Sequence, residues 1–294
     1  MDLKQLIVLA LQVSIVCTVV GFGLRTTVHD LLYLVRRPGL LARSFLAMFV
    51  IMPVVAVLLA VLFDFRPTVE RALVFLSMSP MPPLLPLKET KAGGDQGHAL
   101  GLMAILALLA IAVIPLEILI LQSLVGRPLE LASGAVVRVI LISTLAPLAV
   151  GIALRSFMPG LADWIEKPMA LMAKVLLALM VLVLLVAIAP AILAVIRDPT
   201  VVIAILVFLA VGLAVGHVLG GPNPNNSVVL ALSTACRHPA IALSIAAANF
   251  PEERFDAVIL LYLLLGAIAA VPYLAWHRRR AGMTPLPTKG GHGG

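Results

Sequence analysis

The chain has 294 residues, of which 62% are hydrophobic and only 12% charged. Soluble domains carry about 25% charged and about 45–50% apolar residues. This composition therefore leaves too little polar surface to face water, and it excludes a soluble enzyme, a nucleic-acid binder or a disordered chain as the first reading. The formal net charge of +7, from 21 Lys and Arg against 14 Asp and Glu, sits mostly between apolar stretches. There, basic residues orient a membrane protein rather than recruit nucleic acid.

A helix needs about 20 apolar residues to cross the hydrocarbon. With Pro, Gly and charge clusters as boundaries, the sequence predicts nine spans, at 5–27, 41–63, 68–91, 95–123, 134–155, 165–195, 199–219, 226–249 and 253–277. Backbone groups in lipid must pair within their own segment, and the ten-residue alternation of barrel strands is absent, so these read as helices. The first apolar run is too long for a signal peptide and has no small-residue cleavage site, so it reads as a retained helix. The densest basic clusters are Arg25, Arg36, Arg37 and Arg43 in the first connection and His277-Arg278-Arg279-Arg280 at the end. Both lie on one side of nine spans only with the N-terminus outside and the C-terminus inside, and Lys88, Lys91, Arg155 and Lys167 then fall inside as well. The expected location is a bacterial inner (plasma) membrane. Residues 1–280 read as one transmembrane unit, and the Gly/Pro-rich stretch 281–294 as a disordered cytoplasmic tail.

Cys17 and Cys236 lie in apolar segments and read as buried reduced thiols. Asn225-Asn226-Ser227 fits a glycosylation acceptor but falls on the expected cytoplasmic side.

An internal repeat organises the spans. Leu32-Tyr33-Leu34-Val35-Arg36-Arg37-Pro38 reappears in outline as Leu193-Ala194-Val195-Ile196-Arg197-Asp198-Pro199, each copy closing one span and opening the next. The first turn lies inside and the second outside, so the halves at 5–123 and 134–277 read as inverted repeats. Matching positions of both halves, 68–91 and 226–249, carry proline breaks. The first is Ser77-Met78-Ser79-Pro80-Met81-Pro82-Pro83-Leu84-Leu85-Pro86, and the second Ser233-Thr234-Ala235-Cys236-Arg237-His238-Pro239. Such runs remove backbone donors and cannot stay regular helix. Inverted repeats with broken helices in corresponding positions mark secondary transporters, with the substrate near the bilayer midplane. Ordinary proline kinks are the competing reading.

The Arg-Arg-Pro turn, Phe49-Val50-Ile51-Met52-Pro53, the Ser79-Pro80 break, Gly94-Asp95 and the Pro239 break resemble the bile acid:sodium symporter family across the membrane portion. The resemblance implies an all-α polytopic fold of panel plus core domains with two crossing discontinuous helices, and carriage of bile acids or other organic anions, in many members with sodium. It also implies a nine-helix form lacking the family's first helix. The departures fall on the sodium ligands. The family's glutamine before Phe-x-Ile-Met-Pro is Met48 here; its two glycines are Met81 and Pro82, and its Ser-Asn pair Leu85 and Pro86. Two hydroxyl positions in the next helix are Ala99 and Met103. The family's glutamate and the Gln-Asn that follow it are Ser233, Arg237 and His238 here. Hard cations are held by several oxygens, so the resemblance implies that two-sodium coupling is lost and that a fixed cation does part of its electrostatic work.

An arginine at mid-bilayer depth costs from about 3 to about 17 kcal/mol. Arg237 is therefore expected to clamp a substrate carboxylate, phosphate or sulfonate, with a structural ion pair to Glu117 or Asp95, or snorkelling, as the alternative. His238 beside it would permit proton coupling, although a neighbouring carbonyl more commonly satisfies such a histidine. Ser77, Ser79, Ser233 and Thr234 flank the breaks and would bond either freed backbone or substrate. Lys88, Glu89, Lys91 and Asp95 read as a solvated helix end, with Lys88 placed to line an inward-open cavity. Lys174 is expected to snorkel, and Glu117 to be interfacial or to pair with Arg237. The expected substrate site is Ser79, Pro80, Met81, Lys88, Ser233, Thr234, Arg237 and His238, with no metal and no cofactor. No HExxH, GxSxG or Walker motif appears, and Cys236 near His238 is a poor metal constellation. The expected function is secondary transport of a small organic anion without the two-sodium coupling. A sodium- or proton-coupled symporter, or a non-transporting membrane sensor on the same fold, are the alternatives. The expected partners are the lipid bilayer and that anion, and no nucleic acid.

Overall fold

The computed structural model describes residues 3–26, 28–63, 65–125, 129 and 133–280. The tail from Ala281 to Gly294 lies outside them, as does Arg127. The regular elements of the described residues are all helices, in the order α1 Leu3–Arg25, α2 Val28–Leu31, α3 Pro38–Leu62, α4 Pro67–Met78, α5 Leu85–Lys91, α6 Gln96–Val125, α7 Gly134–Phe157, α8 Pro159–Ile196, α9 Pro199–Leu219, α10 Pro224–Ala235, α11 Pro239–Asn249 and α12 Asp256–Arg280. Six stretches are long and apolar enough to cross a membrane: α3, Gln96–Ser123 of α6, α7, α9, Pro224–Asn249 and α12.

Prolines set most of the starts. Pro38, Pro67, Pro159, Pro199, Pro224 and Pro239 all stand in the first turn of their helices, where the missing N–H has no intrahelical partner to lose. Asp198 adds a cap to α9: its Oδ1 accepts from the Thr200 amide at 3.1 Å and from the Thr200 hydroxyl. That hydroxyl bond holds the Asp198 carboxyl below the usual range, with Arg66 at 3.4 Å contributing less.

The sequence places a connection between 155 and 165, whereas the structure leaves only Met158 out of helix there. Pro159 starts α8 at once, and the helix then runs 38 residues through Pro168 to Ile196. At 1.5 Å per residue it is about 57 Å long, well beyond a bilayer core. Its first turns carry exposed Asp163 and Trp164 and the Glu166 that pairs with Arg25 and Arg155. Asp163 also receives Arg155 at 2.6 Å.

Two glycine contacts fix the packing. A Cβ on Gly216 would meet Leu230 O at 2.4 Å and Ala231 Cα at 2.5 Å, and one on Gly220 would meet Ser227 Cα at 2.4 Å. A Cβ on Gly212, one turn earlier, would meet Ala235 Cα at 2.9 Å. The i, i+4, i+8 spacing puts all three on one face of α9, so α9 lies backbone to backbone against α10, as small residues allow in membrane bundles. Gly23 of α1 and Gly151 of α7 do the same, their Cα atoms within 2.8 Å of the other's built Cβ. α1 thereby packs between α7 and α8.

The stretch Pro224–Asn249 is 72% buried over its apolar window, against 33–39% for the other five. It is the enclosed element, and the others keep an apolar outward face with exposed Val54, Val61, Leu116, Leu119 and Val271. α4 packs on α11 and α5 on α10. The interruption between α4 and α5 therefore meets the one between α10 and α11. A Gly216→Leu substitution would force α9 off α10. The expected result is a loss of about 1–3 kcal/mol of stability, read as a lowered thermal midpoint in detergent; the same change at exposed Gly160 should leave the midpoint in place.

Candidate functional site

The two interruptions are built alike. α4 ends at Met78 and α5 starts at Leu85, and the residues between hold Pro80, Pro82 and Pro83. α10 ends at Ala235 and α11 starts at Pro239, leaving Cys236, Arg237 and His238 outside helix. Every carbonyl freed by such a break must find a donor in a dry interior. The backbone N–H of His238 donates to Pro80 O at 2.8 Å, which ties one break to the other.

Arg237 supplies two more donors. Its side chain is fully buried; Nη1 donates to Ser79 O at 3.1 Å and Nη2 to Met48 O at 2.9 Å. Met48 O is available for a local reason. The turn at Leu46–Ile51 is a π-helical step, in which the Met52 N–H bonds Ala47 O. The residue five beyond Met48 is Pro53, which has no N–H. Met48 O thus has no donor in its own helix, and the guanidinium provides one. The backbone N–H of Arg237 donates to Tyr262 Oη at 2.9 Å, and the Tyr262 hydroxyl donates to Ala235 O, so one phenol on α12 spans the second break.

A second π-step, Leu141–Leu145 in α7, has the same form: the Ala146 N–H bonds Leu141 O and Pro147 follows. It lies against the other residue of the same break, with Ser143 Oγ 3.5 Å from His238 Nε2. Helical π-steps occur frequently at functional sites.

The remaining hydroxyls are divided. Ser77 and Ser79 donate to Val74 O and Leu76 O within α4. Ser233 Oγ donates to Glu89 Oε1 at 2.5 Å and lies 3.5 Å from Met81 Sδ. Thr234 Oγ1 is buried and has no hydrogen-bond partner among the described residues.

A cavity of about 350 Å³ opens beside this junction, walled by Pro82, Pro83, Leu84, Leu85, Lys88, Cys236, His238, Pro239, Ala240, Tyr262 and residues of α1, α9 and α12. A second, of about 250 Å³, shares Ile15, His238 and Ala240 with it and adds Gln12, Arg138 and Ser143. Of the residues singled out from sequence, the structure brings Lys88 and His238 to the cavity wall. It places Ser79, Pro80, Met81, Ser233, Thr234 and Arg237 behind that wall, in the junction. Lys88 has no acidic partner among the described residues.

Neither carboxylate considered as a partner for Arg237 forms an ion pair with it. Asp95 Oδ1 accepts the His98 amide at 2.7 Å and caps α6. Glu117 is buried, in electrostatic reach of Arg237, with neither oxygen hydrogen-bonded among the described residues. Glu89 corrects the reading of 88–95 as a solvated helix end: it has no exposed surface. It lies on the inward face of α5, beside α10, one residue after the cavity-lining Lys88. The apolar neighbours Leu85 and Pro86 gave the only sequence signal for this burial.

A comparison with curated proteins finds no significant match. The model of the sodium bile acid symporter family matches residues 12–197, from α1 through α8, and so includes the first break but not the second. That match covers well over half of the chain, and its apolar helices fit an integral membrane protein; the chain belongs to the sodium bile acid symporter family, whose members are membrane transporters.

Proposed function

We propose that this protein is a secondary transporter that moves a small organic anion by alternating access, without the two-sodium coupling of its family. In this reading nine spans form inverted repeats at 5–123 and 134–277, set as panel and core domains. The discontinuous helices 68–91 and 226–249 cross near the midplane. The N-terminus is outside, and the protein resides in a bacterial inner membrane.

The observation that carries the reading is the guanidinium of Arg237. The carbonyls of Ser79 and Met48 at the junction are oxygens of the kind that coordinate a hard cation, and a covalently attached cation already occupies them. A mobile sodium ion there would meet both the lost ligands and the repulsion of a buried positive charge, which is large at low dielectric. That same charge, with the ammonium of Lys88 on the cavity wall, makes the adjoining space attractive to an anion, and the buried imidazole of His238 offers it a polar ring nitrogen. The small-molecule cavity is otherwise apolar, the usual form of a site where a few polar groups fix orientation. Arg237 acts on the anion through its field in the present conformation, and directly where alternating access parts it from the two carbonyls. Ser79, Pro80, Met81, Ser233 and Thr234 form the junction that holds these groups in place.

A thermal-shift panel of organic anions, run with sodium and with choline as the cation, selects the probe. Uptake of that anion into proteoliposomes is expected to be the same under an inward sodium gradient as under choline, and a steep rise with sodium would refute the uncoupled reading. Arg237→Ala leaves two carbonyls without donors and removes the fixed charge. It is expected to lower uptake per folded protein by about tenfold or more, each charge-assisted bond being worth about 1.5–3 kcal/mol. Lys88→Gln should raise the KM for the anion by about threefold to tenfold with little change in maximal rate, as loss of a partly screened charge predicts.

A further inference from the structure

Glu89 is the ionisable group of the junction that the transport reading does not use. Its side chain is fully buried on α5. Oε1 accepts the Ser233 hydroxyl from α10 at 2.5 Å, and Oε2 is buried with no hydrogen-bond partner. It is thus the one carboxylate that bridges the two interrupted helices among the described residues.

The surroundings decide what neutralises it. α5 packs on α6 and α10. α10 carries no ionisable side chain beyond its hydroxyls, and α6 carries His98 and Glu117. Lys88 and Lys91 share α5 with Glu89, and Cys236 lies just past α10. None of these forms an ion pair with Glu89 among the described residues. An ionised carboxylate taken from water without a paired charge costs several kcal/mol or more. A metal ion needs a set of oxygens, whereas the one side-chain partner of the Glu89 carboxyl among the described residues is the Ser233 hydroxyl, which itself lies 3.5 Å from the Met81 thioether. A proton on Oε2 needs no ligand set and removes the charge.

We propose that Glu89 and Ser233 form a proton-binding site joining the two interrupted helices, and that release of the proton to water loosens their junction. With the proton bound, Oε2–H is neutral and the packing of α5 on α10 is undisturbed. With the proton released, the carboxylate requires hydration, which the buried position does not supply, so α5 parts from α10 until water reaches it. The site deepens the transport reading, on which its role in a cycle rests, by giving that cycle a proton that can be taken up and released as the junction closes and opens. Intramembrane carboxylates serve as proton relays in pumps and transporters.

The test needs no substrate and therefore fails independently of transport. Infrared spectra of the full-length protein in lipid nanodiscs are compared for wild type and Glu89→Gln across an alkaline titration. The wild type is expected to show a carboxylic-acid carbonyl band that Glu89→Gln lacks and that bleaches as pH rises. Glu117 contributes equally to both proteins and cancels in the difference. Ser233→Ala is expected to move the band to higher frequency, because the carbonyl loses a hydrogen-bond donor. Protection of 79–91 and 230–238 against hydrogen exchange should fall with pH by about threefold or more in the wild type and stay level in Glu89→Gln. A spectrum unchanged by Glu89→Gln, or the same protection profile in both proteins, overturns the proposal. If Glu89→Gln fails to fold, the presence of the band in wild type and its shift in Ser233→Ala decide the matter: an absent or unshifted band overturns it.

Discussion

Broken backbone can exist inside a membrane protein only if every freed carbonyl finds a donor, because no water is present to serve instead. The junction of α4–α5 with α10–α11 is organised around that constraint. Prolines remove donors at 53, 80, 82 and 83, and one arginine returns two of them, to Ser79 O and Met48 O. The Tyr262 phenol and the His238 amide settle Ala235 O and Pro80 O. The stretch that holds Arg237 is correspondingly the most enclosed of the apolar stretches, at 72% of its window. A side chain that is costly in lipid becomes, in this place, the group that satisfies a set of carbonyls no neutral residue of similar length could reach with two donors at once.

Much of this was legible in the sequence. Helical character, the positions of the two interruptions and the burial of Arg237 follow from apolar run lengths and from proline placement, both strong local signals. The partners of Arg237 were not legible. Glu117 and Asp95 were the carboxylates within plausible reach, yet Asp95 caps α6 and Arg237 bonds backbone instead. Backbone acceptors have no sequence signature of their own. The one at Met48 arises from a π-step whose trace in the sequence is only the proline that follows. Glu89 was misread for a related reason. Charged residues at 88, 89, 91 and 95 look like a solvated end, and helical phase alone did not show that 89 faces α10 while 91 faces out. The span expected from 165 starts earlier, at Pro159, because a proline fits the first turn of a helix, and the helix absorbs the later Pro168.

The resemblance to sodium-coupled relatives gains a physical content from these contacts. Where that resemblance leads one to expect a carboxylate at 233, a hydroxyl stands, and a carboxylate reaches it from the opposite interrupted helix through Glu89. Where it leads one to expect neutral amides at 237 and 238, a guanidinium and an imidazole stand. The ionisable groups of the junction are divided between the two breaks, with the acid on α5 and the guanidinium and imidazole between α10 and α11; the 2.5 Å Ser233–Glu89 bond and the Ser79 carbonyl that Arg237 reaches tie the two breaks together.

The widened turn at 46–51 makes chain length itself part of the site. A π-step holds one residue more than an ordinary turn, so losing any single residue in that segment would restore the regular ladder. Loss of Phe49, Val50 or Ile51 would bring Pro53 to the fourth position after Met48, so Met48 O would still have no donor in its own helix and would turn away from Arg237. All of α3 before that point would rotate by about 100° against the rest of the bundle, one residue's worth of helical phase. Side chains in the segment can be exchanged with modest effect so long as they remain apolar, but its count cannot. In this protein a deletion that removes no charged or polar group would therefore be as damaging to the junction as replacing the arginine.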